Sequence, residues 1–246
     1  MLFSVKNLKK LVTADKNERN IIRYKLLNDI AHRYGWRLYS PRYAPWKDKS
    51  YNAILQSGDY GFNDKKFMIY QLALGVANME GDTAECGVFK GYGSWLILNA
   101  EKKEDCFHHV FDSFEGVSEP SDVDNLSDPN TYQWQKHDMS YPLEKVKEKL
   151  KPFKNVKYYK GWIPEKFDDV EDRRFKFVHV DVDLYQPTFD SFQFFYEKMN
   201  PGGVILCDDY ACPGTPGALK AVDDFLANKP ENVITTVPGS GFIIKQ

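Results

Sequence analysis

From Gly81 onward, short apolar runs alternate with amphipathic stretches. Five of these runs read as strands: Thr83-Ala-Glu-Cys-Gly-Val88, His108-His-Val-Phe111, Val156-Lys-Tyr-Tyr159, Phe175–Asp183 and Gly203-Val-Ile-Leu-Cys207. Between them the period changes to that of a helix. One helix runs through Trp95, Leu96 and Leu98, and another follows Ser140-Tyr-Pro142 with Leu143, Val146 and Leu150 on one face. A third has Pro187 near its start and presents Phe189, Phe192, Phe195 and Met199; a fourth runs through Leu219, Val222 and Phe225. Upstream, Asn63 or Asp64 opens a helix carrying Phe67, Tyr70, Ala73, Leu74 and Ala77. Val233–Val237 and Phe242–Ile244, joined by Pro-Gly-Ser-Gly, predict a terminal hairpin. Strands alternating with helices imply a mostly parallel sheet covered on both faces, here with an antiparallel edge.

Residues 1–60 have a different character. Thr13 can cap a helix through Ile21, Ile22, Leu26, Leu27 and Ile30 that stops at Tyr34-Gly35. The aromatic, basic segment Trp36–Trp46 then carries two prolines and reads as irregular. The expected division is an N-terminal helical and irregular extension, 1–60, before a main domain, 61–246. The extension suits either a lid over the crevice or a packing extension or oligomer arm, and both roles are compatible.

Composition narrows the classes. Hydrophobic residues make up 42% of the 246 positions, enough for a substantial core. A net charge of −2 offers nucleic acid or an anionic membrane no global attraction, and no run approaches a membrane span. Cys86, Cys106, Cys207 and Cys212 form no CxxC pair and read as buried or semi-buried thiols in a reducing compartment. The first ten residues lack the long apolar region of a signal peptide, so the expected location is cytoplasmic.

The candidate chemistry lies at strand ends. Asp181 and Asp183 close the fourth run, and regular period-2 geometry would place them on one face, roughly 6–7 Å apart. Asp208 and Asp209 close the fifth. Oxygen-only ligands at two strand ends suit Mg²⁺ or a similar hard cation, and no His/Cys cluster points to zinc. Adjacent residues 208 and 209 cannot both face one point in a regular strand, so either the chain turns there or one acid stands behind the other. The first strand-to-helix turn, Glu85-Cys-Gly87-Val-Phe-Lys-Gly91-Tyr-Gly93-Ser94, lacks the G-x-G-x-x-G dinucleotide spacing. Its leading acid suits a ligand with an amino-bearing end. Asp112, ending the second strand, stands where a carboxylate accepts from a ribose diol, so the turn and Asp112 together suggest a nucleoside ligand. Trp162 could stack on an adenine or simply pack. His179 reads as a satisfied core histidine, and His137-Asp138 lie in a loop within reach of the crevice. Most charges of the loop 113–136, including Glu115, Glu119, Asp122, Asp124 and Asp128, read as solvated.

Ala84-Glu-Cys-Gly-Val88, Phe111-Asp-Ser-Phe-Glu-Gly116, Asp181-Val-Asp-Leu-Tyr185 with Thr188, and Gly202-Gly203 through Asp208-Asp-Tyr210 occur in that order. In this combination the chain, over about 64–245, resembles the TylF-like macrocin O-methyltransferase family. The resemblance implies a Rossmann-like class I methyltransferase with a mostly parallel seven-stranded sheet, using S-adenosylmethionine (SAM) and Mg²⁺ on a sugar hydroxyl. It also implies roles: Glu85, Gly87, Gly91 and Ser94 in the SAM turn, Asp112 and Ser113 at the ribose, and Trp162 near the adenine. Asp183, Asp208 and Asp209 fall on its metal positions, with Asp183 also the proton acceptor and Asp181 structural or one step removed from the metal. Gln186-Pro187-Thr188 replaces the family's Glu-Ser-Thr-like triplet, and Ala211–Gly217 makes a stiffer loop. The acceptor, a small sugar-containing or phosphorylated molecule, therefore stays open.

Three rivals remain. Asp181-Val-Asp183 is a D-x-D motif, as in metal-dependent glycosyltransferases. An NAD-dependent reductase is disfavoured by the glycine spacing. A catalytically inactive SAM-fold assembly subunit would keep the turn without turnover.

Overall fold

A computed structural model of the chain describes residues 63–126 and 132–246, with scattered positions between 19 and 53. The helix expected from Thr13 through Ile30 and the segment 36–46 lie largely outside the described residues, as does Asp128. The chain divides into two compact units, 1–49 and 50–246. Every strand among the described residues lies in the second unit.

The elements are α1 (Asn63–Val76), β1 (Asp82–Cys86), α2 (Tyr92–Ala100), β2 (His108–Asp112), α3 (Leu143–Leu150) and β3 (Val156–Lys160), followed by β4 (Phe175–Val180), α4 (Tyr185–Lys198), β5 (Met199–Cys207), α5 (Pro216–Leu226), β6 (Ile234–Thr235) and β7 (Gly241–Ile244). The seven strands form one sheet in the order β3-β2-β1-β4-β5-β7-β6. β1 pairs parallel with both β2 and β4, and β7 lies antiparallel between β5 and β6. This is the mostly parallel sheet with a hairpin edge that the residue pattern predicts. The strand order reverses between β1 and β4, where open α/β sheets bind ligands outside the carboxyl ends of their strands.

Alternation along the strands divides the core between the two faces. Ile205 and Cys207 of β5 pack with Phe192, Phe195 and Tyr196 of α4 and with Ala218, Val222 and Leu226 of α5. Val204 and Leu206 point the other way, to Ile69, Tyr70 and Ala73 of α1 and Leu96 and Ile97 of α2. Fully burying a Val, Leu, Ile or Phe among them stabilises the fold by about 1.5–3 kcal/mol. Among the described residues, no helix is long and apolar enough to cross a membrane.

Three local expectations need correction. β4 ends at Val180, three residues earlier than the apolar pattern suggests. Asp181 still donates its N–H to Cys86, but Asp183 takes a left-handed φ of 61° and α4 begins at Tyr185. Asp181 and Asp183 thus flank a turn and do not share a pleated face. β5 begins at Met199, expected on the preceding helix, because Met199 pairs with Phe175; an irregularity carries the strand past Pro201 and Gly202. Asp124 is buried: it accepts from Ser121 and from the Tyr185 N–H, which ties the 117–126 loop to the start of α4.

Candidate active site

A cavity of about 150 Å³ opens where four parallel strands end. Gly87, Val88 and Phe89 follow β1, Asp112 and Ser113 close β2, Trp162 and Ile163 follow β3, and Asp181, Val182 and Asp183 follow β4. Gly116, Val117, Ser118, Met139 and Pro187 complete the wall.

Backbone strain is concentrated here. Phe89, Phe114, His137, Met139 and Asp183 are the non-glycine residues with positive φ among the described positions, and three of them line the cavity. Each such residue costs on the order of 1–3 kcal/mol and persists only when its surroundings over-determine it. Gly87 is required because its φ is 78° and a Cβ would strike the carbonyl of Asp181, where β1 and β4 converge. Asp112 organises the turn: one carboxylate oxygen accepts from the N–H groups of Val88 and Phe89, and the other accepts from Phe114.

Behind the wall runs a continuous buried polar chain. Thr83 Oγ1 meets His108 Nδ1 at 2.9 Å, and His108 Nε2 meets Ser94 Oγ at 2.9 Å. Ser94 donates a very short hydrogen bond to Glu85, whose other oxygen lies 2.9 Å from His179 Nδ1. His179 Nε2 faces Asp208 at 3.4 Å. Lys65 Nζ, from the first turn of α1, reaches Asp208 at 2.7 Å and Asp209 at 3.2 Å. Gly93 leaves room for this chain, because a Cβ there would overlap Glu85 and crowd His179.

Electrostatics follow from these contacts. Both His179 nitrogens face carboxylates, so both donate and the ring is cationic. Burial opposes that charge, but the bonds to Asp208 and Glu85 hold its pKa well above the usual histidine value. Burial likewise opposes charge on Lys65, and Asp208 with Asp209 more than restores it. For Asp208, burial is outweighed by His179 and Lys65, which bring its pKa down to about 2. The opposite holds for the acids facing the cavity: burial and then the charges of Asp208 and Asp209 push Asp181 up, and burial and then Asp209 push Asp183 up. Burial, followed by its histidine neighbours, lowers His108 to about 3, so this ring is neutral.

Ligand atoms of Asp181, Asp208 and Asp209 lie within 4.8 Å of one another. Asp183 neighbours Asp209 but stands outside this close trio. The structure therefore brings Asp181 into the acid cluster, whereas the sequence reading takes it as structural or one step removed from the metal. The expected cofactor residues separate into two groups. Gly87, Asp112, Ser113 and Trp162 line the cavity; Glu85, Gly91 and Ser94 do not. Glu85 and Ser94 are spent on each other, and Gly91 backs onto Val146 and Lys149 of α3. His137 donates to the Glu115 carbonyl beside Trp162, and Asp138 accepts from Tyr132 and Gln135; neither lines the cavity.

Sequence reasoning missed Lys65. One signal was available: a lysine in the first helical turn faces the positive end of the helix dipole, an unfavourable place unless acids hold it there. The positive-φ positions Phe89 and Met139 carry no such signal, since neither side chain prefers that conformation.

The acid cluster suits a hard cation. Five acids gather here, Glu85, Asp181, Asp183, Asp208 and Asp209; Lys65 pairs with Asp208 and Asp209, His179 with Glu85 and Asp208, and Asp209 Oδ2 is buried without a hydrogen-bond partner among the described residues. An all-oxygen donor set with excess negative charge fits Mg²⁺.

Comparison with known proteins agrees with this architecture. A family model described as macrocin-O-methyltransferase (TylF) matches residues 70–239. The 8-demethyl-8-(2,3-dimethoxy-alpha-L-rhamnosyl)-tetracenomycin-C 4'-O-methyltransferase of Streptomyces olivaceus is 28% identical over 141 residues, covering 53% of each chain. Mycinamicin III 3''-O-methyltransferase of Micromonospora griseorubida is 28% identical over 155 residues, 58% of this chain and 61% of that protein. The chain thus spans between half and two thirds of the length of these relatives. The solved O-methyltransferase NovP superposes with a TM-score of 0.58 at 24% identity, covering 73% of this chain and 78% of its own. A Bacillus cereus O-methyltransferase in complex with SAH gives a TM-score of 0.51 at 13% identity, covering 92% and 100%. At these identities the structures show a shared fold.

Proposed function

Because the chain belongs to the macrocin O-methyltransferase (TylF) family, we propose that it transfers a methyl group from SAM to a hydroxyl of a sugar or similar small hydroxylated metabolite, with Mg²⁺ at the acid cluster. The observation that carries this reading is the juxtaposition of that cluster with the cavity at the β1/β4 switch point. SAM would supply an electrophilic methyl group, and Mg²⁺ would act as Lewis acid and template for the acceptor hydroxyl.

Methyl transfer is an in-line displacement, so catalysis rests mainly on positioning. Gly87, Asp112, Ser113 and Trp162 are the residues proposed to hold the cofactor. Gly87 lets β1 and β4 converge beneath it, Asp112 keeps the 88–89 turn in shape and would accept from the ribose, and Trp162 would offer an aromatic face. Glu85, Gly91 and Ser94 support the turn from behind. Asp181, Asp183, Asp208 and Asp209 are the proposed metal ligands. Asp183 is the proposed base: its carboxyl stands at the cavity on a strained turn, where an acceptor hydroxyl would lie.

Family membership sets aside the glycosyltransferase and reductase readings. An inactive assembly subunit would bind SAM without turnover. The deciding measurement is methyl transfer from SAM with Mg²⁺, with EDTA, and in Asp183→Ala and Asp208→Ala. Loss in all three is expected, and full activity in all three would sink the proposal. A thermal-shift screen with SAM and Mg²⁺ over sugar-containing and phosphorylated acceptors would identify the substrate class.

A further inference from the structure

We propose, resting on the metal site proposed for the acid cluster, that Lys65 is a displaceable counter-cation: its ammonium closes the cluster in the metal-free protein and must retreat for a divalent ion to enter. Three observations carry this. Lys65 Nζ lies 2.7 Å from Asp208 and 3.2 Å from Asp209, so it occupies two of the three carboxylates whose ligand atoms approach within 4.8 Å. Its side chain is only 11% exposed, so the ion pairs are sheltered from solvent screening. And even with Lys65 and the His179 ring in place, Asp209 Oδ2 is buried with no hydrogen-bond partner among the described residues, so the two cations leave the cluster short of contacts.

Lysine suits such a role. Its ammonium is a point charge on a flexible four-carbon stem, without the fixed fork of arginine. It can therefore retreat without moving α1. A divalent ion bound at the same oxygens would lie within a few ångströms of that ammonium and be strongly repelled by it. Lys65 thus lowers metal affinity while keeping the metal-free fold from bearing uncompensated buried acids. It positions the acids for the metal and is not itself a ligand.

The test uses the whole protein, stripped of metal and without SAM, with Mn²⁺ titrated calorimetrically into wild type, Lys65→Met, Lys65→Gln and Lys65→Arg. Melting temperatures are measured in parallel in EDTA and in saturating Mn²⁺. The Met and Gln variants should bind Mn²⁺ about tenfold tighter or more, melt below wild type in EDTA, and regain more than wild type on adding Mn²⁺. Lys65→Gln keeps a donor for the acids should Lys65→Met fail to fold. Lys65→Arg, which keeps the charge, should bind no tighter than wild type. Unchanged or weaker affinity in Lys65→Gln overturns the inference alone, as does equal tightening in Lys65→Arg. Failure of all four proteins to bind Mn²⁺ overturns the metal reading and the inference with it.

Discussion

Replacing Asp181 by Asn should stabilise the metal-free protein while impairing catalysis. Ligand atoms of Asp181, Asp208 and Asp209 lie within 4.8 Å of one another. At that separation and an effective dielectric of about 20, each pair of like charges costs about 3 kcal/mol. Asp181 has two such neighbours, and His179 and Lys65 offset part of the repulsion. A net gain of about 1–2 kcal/mol is therefore expected from an isosteric amide, or a rise in melting temperature of roughly 2–8 °C for a domain of this size.

The sign depends on pH in a way that tests the cause. The folded-state pKa of Asp181 is raised above 3.8, by burial and then by Asp208 and Asp209. Folding therefore binds this proton more tightly than the unfolded chain does. The associated stability is fully present below about 3.8 and is lost as pH rises through the folded value. Asp181→Asn lacks this loss, so its advantage should be small at pH 5 and larger at pH 8. Calorimetry in EDTA at both pH values measures it. Adding Mg²⁺ should reverse the order, because wild type gains a ligand set that the variant has weakened. An Asp181→Asn protein that melts at or below wild type in EDTA at pH 8 would refute the claim that these acids repel one another across the cluster.

Other consequences can be tested in the same protein. Gly93→Ala would drive a methyl group into Glu85 and against His179; it should cost about 1–3 kcal/mol, read as a lower urea midpoint, and should weaken SAM binding. His108, held down at about 3 against 6.5 when unfolded, takes up its proton first in the unfolded chain. Stability should therefore fall as pH drops from about 6.5 toward 3, and urea midpoints for His108→Asn should fall less steeply over that range.

How much of the fold and site was legible in the sequence depends on whether a feature is local. The strands were, because Val-Ile-Leu-Cys and Phe-Val-His-Val can be buried on both faces only in a covered parallel sheet. The ends of those strands were not. Nothing in Val-Asp-Val-Asp-Leu-Tyr shows that the chain leaves the sheet at Asp181. The chain turns at Asp183, whose φ is left-handed, before α4 starts at Tyr185, and that turn separates two acids taken to share a face. The other misreading, an acid taken as solvated, comes from a tertiary contact: the buried Asp124 carboxylate, some sixty residues upstream, accepts from the Tyr185 N–H.

The same distinction separates the acids from the cations that balance them. Four aspartates at two strand ends announce themselves, because apolar runs seldom end in adjacent carboxylates. Lys65 is remote in sequence from both pairs, and its contact with Asp208 exists only because α1 packs over β5. His179 lies inside a strand, where packing alone would account for it. Its two bonds, to Glu85 of the cofactor turn and Asp208 of the acid cluster, join the two halves of the proposed site through one cationic ring. A site assembled from motifs supplies groups that could bind a nucleoside and groups that could bind a metal. The link through His179 adds a consequence of the proposed reading: a change of charge at Asp208 should be felt at Glu85, two hydrogen bonds away.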